Sequence, residues 1–256
     1  MPPISATIIT RNEAANITRA IRSLAPVADE VIVVDAGSND DTRQLAAAMG
    51  ARVIERAWGG FASQKNFAAG QAQHDWVLSL DADEEMDATA QASIRAWKNP
   101  QPEIYGYRFA RCARYLGRWI RHSGWYPDYK TRLYNRHHGR WVGDYVHESV
   151  EAEGRVETLP GEILHYTCDS LEEHRQRIEF YTDLAAAQLV AEGRAISRAQ
   201  RLMAPTWEFL RSYFLRLGVL DGSPGFQIAL MASRYVSRKH AKWVKLAADS
   251  LKEQPR

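Results

Sequence analysis

Apolar positions along residues 1–100 switch repeatedly between two periods. "ISATII" (4–9) is a short β-rich run, after which Ile17, Ala20, Ile21 and Leu24 recur at i, i+3, i+4 and i+7, the spacing of an amphipathic helix. Asn12 stands where a cap for that helix is expected. "EVIVVDAGS" (30–38) reads as a second strand and "DDTRQLAAAMG" as a helix closed by Gly50. "ARVIER" is a third strand, "FASQKNFAAGQA" a third helix and "WVLSL" (76–80) a fourth strand. This alternation predicts right-handed βαβ crossovers and an α/β fold with a mostly parallel sheet, covered on both faces. Ligands of such sheets bind beyond the carboxyl ends of the strands. Those ends carry Thr10-Arg11-Asn12-Glu13, Asp35-Ala36-Gly37-Ser38 and Asp81-Ala82-Asp83.

After Pro100 the pattern becomes one of short β-like runs ("YGYRFAR", "KTRLYN", "RWVG", "YVHESVE", "GRVETL", "EILHYT") among aromatic and basic loops. From Ser170 it is helical, opening on Ser170 with Glu173 three residues later and pausing at Gly193. Further helices are expected near 195–217 and 224–247, with the turn "GVLDGSPG" between them. The chain therefore divides into residues 1–100, a βα half; 101–168, a second half of the same domain; and 169–256, a helical appendage.

Composition narrows the classes. With 45% hydrophobic and 25% charged residues the chain can bury a proper core, and a net charge of +2 gives no global reason to expect nucleic acid as a partner. The positive charge is local: residues 194–245 hold ten Lys/Arg against Glu208 and Asp221. Two isolated cysteines, Cys112 and Cys168, fit a reducing compartment and lack metal-binding spacing. The N-terminus does not read as a signal peptide, and no run reaches the roughly 18 apolar residues of a spanning helix. A cytoplasmic protein is expected, with any membrane contact peripheral.

Asp81-x-Asp83 at a strand end lets two carboxylates flank one small volume. Such oxygens suit Mg²⁺ or Mn²⁺ held together with substrate phosphates, whereas the same acids could instead cap the next helix. Asp35 can accept from a ring N–H of a nucleotide base, Gly37 and Ser38 allow close backbone approach, and Lys65 adds a cation at the same edge. The plainer reading makes Asp35 and Ser38 caps and Lys65 a solvated helix residue. Glu84 and Glu85 read as the first turn of the following helix.

"SATIITRNEAANITRAIRSL…ADEVIVVDAGSNDDT", "GGFASQKN" and "WVLSLDADE" resemble the inverting family 2 glycosyltransferases of GT-A fold. "RLYNRHHGRWVGDYVHESVE", "ILHYT" and "LRLGVLDGSPGF" are similar to the subgroup that adds glucose to the inner-core heptose of lipopolysaccharide. The resemblance implies that Thr10, Arg11, Asn12 and Glu13 cradle uridine, Asp35 meets the uracil, Asp81 lies near ribose and metal, and Asp83 ligates the metal. It implies Glu148 of "VHES" as the catalytic base, with Asp144 as the alternative. An inverting transfer needs one such base for the acceptor hydroxyl. His165 could touch metal or diphosphate, His147 could orient the acceptor, and Arg132 could contact phosphate; each could equally be structural. Trp125, Tyr126 and Trp141 could stack on sugar or lie in the core.

The implied donor is a UDP-sugar, the cofactor Mg²⁺ or Mn²⁺, and the acceptor a lipopolysaccharide core or similar glycolipid. Trp207, Leu210, Phe214 and Leu217 share a helical face flanked by Lys/Arg, the pattern of helices lying in a membrane interface, here the cytoplasmic face of the inner membrane. Packing of that face on the rest of the chain is the competing reading. Another lipid-linked or polysaccharide acceptor, or an inactive membrane-surface binding protein, are the alternative functions.

Overall fold

The computed structural model describes residues 2–97, 104–143 and 148–252, with side chains described as far as Ala248. The chain forms two compact units: Met1–Cys112 with Pro127–Tyr166, and Ala113–Tyr126 with Thr167–Arg256.

In the first unit, β1 (Ile4–Thr10), β2 (Glu30–Asp35), β3 (Arg52–Glu55) and β4 (Trp76–Asp81) pair in parallel in the order β3-β2-β1-β4. Every residue of β1 is buried, as expected of a central strand covered on both faces. The connecting helices are α1 (Ile17–Leu24), α2 (Thr42–Ala48) and α3 (Phe61–Gly70). Ile17, Ala20, Ile21 and Leu24 all face the core, so the helical spacing seen in the sequence is the packing stripe. Gly50, at φ +82°, ends α2 as expected.

Two local expectations are corrected. Asn12 does not cap α1; it adopts φ +57°, in the loop after β1, and the helix begins five residues later behind Asn16. The side chain of Asn12 is engaged elsewhere, accepting from the backbone N–H of Asn39 at 2.9 Å. Glu84 and Glu85 are not the first turn of a helix. They belong to a short strand, β5 (Glu84–Met86), and the helix that follows, α4 (Ala88–Ala96), is capped by Asp87, whose carboxylate accepts from Ala90 N–H at 2.6 Å.

The remaining strands extend the sheet: β6 (Gly106–Tyr115), β7 (Arg118–Trp119), β8 (Asp128–Asn135) and β11 (Val156–Cys168), of which β7 and the last residues of β6 and β11 are counted in the second unit. Strand β8 runs antiparallel to both β4 and β6, and β11 runs antiparallel to β5. Among the described residues nine strands form this sheet, in the order β3-β2-β1-β4-β8-β6-β11-β5 with β7 on β6. A parallel, helix-covered half thus grades into an antiparallel half. "GRVETL" and "EILHYT" are one strand, β11, bent at Gly161, where φ is +100° and a Cβ would lie 2.0 Å from Ala90 N. A two-stranded ribbon, β9 (Gly139–Val142) with β10 (Ser149–Ala152), completes the unit.

The second unit contains α5 (Leu171–Ala191), α6 (Arg198–Leu210), a π-helical turn (Arg211–Leu215), a 3₁₀ turn (Gly218–Asp221) and α7 (Ser223–Lys252). Ser170 caps α5 and Gly193 follows its end at φ +65°. The "LDG" signature has a structural role here. Asp221 is buried and accepts from the N–H groups of Arg121 and His122, both at 3.0 Å, and from the Ser123 hydroxyl at 3.2 Å. Among the described residues no helix is long and apolar enough to cross a membrane.

Candidate active site

The parallel strands bring their ends into line. Thr10 lies opposite Asp35, and Ile9 lies opposite Asp81. The loops after β1 and β2 are laced together: Asn12 N–H donates to Ser38 Oγ at 2.8 Å and Glu13 N–H to Thr42 Oγ1 at 2.8 Å. Asp35 is fully buried, and its carboxylate accepts from Gly37 N–H at 3.0 Å, Ser38 N–H at 2.8 Å and the Ser38 hydroxyl. These bonds make Asp35 the post of its own loop and not a cap of the next helix, which starts at Thr42 behind Asp41. Gly37, at φ +84°, is required by that turn. The hydroxyl of Thr10 is buried and has no hydrogen-bond partner, an orphan polar atom at the strand end. Arg11 and Asn12 are exposed beside it.

Lys65 is not a solvated helix residue. It is 2% exposed, donates to Glu148 Oε1 at 3.1 Å, and pairs with Asp81 Oδ1 at 2.8 Å. Its ammonium also lies 4.2 Å from the ring centroid of Trp141. Trp141 is buried and held by Asn66, which exchanges bonds of 2.8 and 2.9 Å with its backbone, so it supports Lys65 and is not open to stack on a sugar. Trp125 and Tyr126 belong to the second unit.

Arg132 likewise is a buried counter-ion. It donates to Asp81 Oδ2 at 2.8 Å and to both oxygens of Glu84, at 2.6 and 2.7 Å. Burial alone would push the Asp81 carboxyl upward. The charges of Arg132 and Lys65 and their hydrogen bonds outweigh it and hold Asp81 well below the usual carboxylate range. Arg132 is displaced the other way: burial opposes its charge, and Asp81 and Glu84 restore it and raise its proton affinity. Glu84, wholly buried, also receives Arg111 at 3.3 Å, and Arg111 pairs with Asp128 at 2.7 Å. Sequence reasoning assigned Glu84 only a place in a helix start and assigned no role to Arg111 or Asp128. Only the position of Glu84 beside Asp83 hinted at a role.

Asp83 and His165 are brought together separately, with Asp83 Oδ2 3.2 Å from His165 Nε2. The pairing follows from strand register, since His165 lies opposite Glu84 across β5 and β11 and Tyr166 N–H donates to Asp83 C=O at 2.9 Å. Tyr166 also donates its hydroxyl to Glu85 at 2.9 Å, under the guanidinium of Arg19. Among the described residues no three His, Cys, Asp or Glu side chains converge to hold an ion by themselves. A carboxylate and an imidazole with Asp81 committed elsewhere fit a cation whose remaining ligands are water and phosphate oxygens. Asp144 and His147 lie outside the described residues.

These groups lie at the carboxyl edge of a parallel sheet, where ligands of such folds bind. Comparison with known proteins specifies this further. Residues 5–149 match glycosyl transferase family 2. An uncharacterized glycosyltransferase of Rickettsia prowazekii is 33% identical over 99% of this chain and 90% of its own length. A lipopolysaccharide core biosynthesis glycosyltransferase of Rhizobium meliloti, LpsC, is 30% identical over 93% of each chain. Glucosyl-3-phosphoglycerate synthase from Mycobacterium tuberculosis, crystallised with Mn²⁺, UDP and glucosyl-3-phosphoglycerate, overlaps 44% of each chain at 25% identity and a TM-score of 0.36, too partial a likeness to inform the site. The match over more than half of its length, with whole-chain relatives that are glycosyltransferases, shows that this chain is a transferase belonging to glycosyl transferase family 2.

Proposed function

We propose that the protein moves a hexose, with glucose the expected sugar, from a UDP-sugar to an inner-core heptose of lipopolysaccharide or a similar glycolipid, with inversion at the anomeric carbon. The observation that carries this reading is the cluster of partly buried Glu148 and Asp81 on buried Lys65, with the Asp83–His165 pair, at the strand ends where a nucleotide diphosphate would lie. The acceptor class draws on the relative whose name assigns it to lipopolysaccharide core biosynthesis.

In this reading residues 1–100 bind the donor and 101–168 supply the base and the acceptor side. Thr10, Arg11, Asn12 and Glu13 line the nucleoside, with the unpartnered Thr10 hydroxyl as a ready donor, and Asp35, Gly37 and Ser38 shape the wall beside the base. Asp81 lies on the ribose side. Glu148 takes the proton of the acceptor hydroxyl as its oxygen bonds to the anomeric carbon, while the bond to UDP breaks and the electron pair leaves with the diphosphate. Lys65 fixes the carboxylate of Glu148 and adds positive charge on the leaving-group side. Mg²⁺ or Mn²⁺ at Asp83 and His165 would offset charge on the leaving diphosphate. Trp207, Phe214, Leu215 and Leu217 are each at least half exposed on the second unit and would lie in the cytoplasmic face of the inner membrane.

Calorimetry with UDP-glucose, with and without Mn²⁺, tests the assignment together with product analysis on extracted core lipopolysaccharide. Glu148→Gln should bind donor as the parent does and lose transfer by at least about 100-fold. Asp83→Ala should lose the Mn²⁺-dependent part of binding. Donor binding that ignores Mn²⁺ and Asp83 would overturn the metal site, and full transfer by Glu148→Gln would overturn the base.

A further inference from the structure

Cations flank helix α7 on two sides, its own towards α5 and those of α6 on the other, and only the first set is neutralised. Towards α5, Arg238 pairs with Glu179 at 3.1 Å, and Lys242 pairs with Glu179 at 3.1 Å and Asp183 at 2.8 Å. Towards α6, Ser237, His240 and Val244 line one wall of an open groove of about 540 Å³, and Arg198, Arg201 and Leu202 line the other. No carboxylate lines this groove, and among the described residues neither Arg198 nor Arg201 has an ion-pair partner. The arrangement is costly without a ligand. Arg198 and Arg201 are like charges one helical turn apart, and Arg198 opens α6, at the positive end of its dipole. His240 Nδ1 is buried without a hydrogen-bond partner. Burial first, and then the charges of Lys239 and Arg201, hold the imidazole below its usual pKa.

The apolar part of the groove indicates what kind of anion fits. Leu202 is 78% exposed at its rim and Met203, the next residue, is 69% exposed, so the cations sit beside greasy side chains that face water. The lining offers no aromatic face for a base and no acid for a metal. We propose that this groove holds the phosphate of an anionic membrane lipid, with Arg198, Arg201, Ser237 and His240 on the phosphate oxygens and Leu202 and Val244 against the first carbons of its chains. The inference rests on the membrane contact of the proposed function and gives it a headgroup site.

Cosedimentation of the full chain with phosphatidylcholine vesicles, with and without phosphatidylglycerol, tests it. At roughly fivefold per cation, Arg198→Gln/Arg201→Gln should weaken partition onto the anionic vesicles about 25-fold. Arg22→Gln/Arg95→Gln removes the same net charge from exposed positions of the first unit and should change it less than about twofold. Equal weakening by both pairs, or none by the first, overturns the site, with circular dichroism confirming that each variant is folded. Dihexanoyl phosphatidylglycerol should move the His240 imidazole resonances. Inorganic phosphate moving them as strongly, with no vesicle binding, would reassign the groove to soluble phosphate and defeat the lipid proposal; capture of RNA in place of vesicles would defeat it too. UDP-glucose calorimetry on the same proteins separates the two readings. Vesicle binding without donor binding sinks the proposed UDP-glucose donor and leaves the groove standing, and the converse sinks only the groove.

Discussion

Replacing Arg132 by Met removes the central cation of a buried charge cluster while keeping a side chain of similar length. Arg132 is 2% exposed and is shared by Asp81 at 2.8 Å and Glu84 at 2.6 Å. Removing one partner of a buried ion pair typically costs about 3–5 kcal/mol, because the other charge is left desolvated. Here the stranded acids keep some compensation, since Asp81 retains Lys65 at 2.8 Å and Glu84 retains Arg111 at 3.3 Å. The low end, about 3 kcal/mol, is therefore expected. At about 2–4 °C per kcal/mol for a chain of this size, the melting temperature should fall by roughly 6–12 °C at pH 7.

The pH dependence carries the sharper test. Asp81 has a folded pKa below its unfolded value, so its stabilising contribution is present above about 3.9 and is lost as pH falls below that. In the variant the same carboxyl, without Arg132, takes up a proton more readily in the folded state. The gap between parent and variant should stay level from pH 7 to about 5 and shrink below about 4. Urea unfolding followed by circular dichroism across this range measures it. Adding Glu84→Gln to the variant should recover part of the loss by removing one stranded charge. A variant as stable as the parent at pH 7, a gap that persists in acid, or no recovery in the double variant would refute the account.

Two further outcomes follow from close packing and loop capping. Gly161→Ala forces a Cβ to 2.0 Å from Ala90 N at φ +100° and should cost on the order of 3 kcal/mol, whereas Gly50→Ala, with open space and φ +82°, should cost about 1 kcal/mol; thermal melts of the pair distinguish contact from backbone strain. Asp221→Asn gives up a carboxylate oxygen from the loop at 121–123 and should cost about 1–3 kcal/mol, with faster amide exchange at Arg121 and His122 and unchanged UDP-glucose binding.

What the sequence revealed follows from which interactions are local. The strands and helices of residues 1–100 were legible because a doubly covered strand such as β1 reads as a short β-rich run and a helix such as α1 as an i, i+3, i+4, i+7 stripe. Strand-end carboxylates were legible because a parallel sheet lines up its own ends. Long-range pairing was not. Nothing local to "DADEEMDATA" distinguishes a helix start at Glu84 from a start at Ala88, since acids favour either; the choice is made by β11, which pairs with Glu84, Glu85 and Met86 from 77 to 81 residues further along. Asn12 was misread because an Asn ahead of a helix and an Asn at positive φ look alike until Asn39 arrives to bond it. Lys65 and Arg132 look like surface cations in the chain, and only the fold brings Asp81 to both.

These contacts join into one alternating series, Glu148–Lys65–Asp81–Arg132–Glu84–Arg111–Asp128–Lys130, four carboxylates against four cations. A balanced series stabilises its own buried members but leaves no cation in it uncommitted. A diphosphate arriving at Asp81 adds negative charge that these eight groups cannot absorb without breaking a pair. Either Lys65 gives up part of its hold on Glu148, or charge comes from outside the series, as from the cation proposed above for Asp83 and His165, which lie 3.2 Å apart. The first route would loosen Glu148, the base of the proposed reaction, and the second leaves it fixed. In the proposed reaction a divalent cation would therefore take up the added charge while Lys65 keeps its pairs with Glu148 and Asp81.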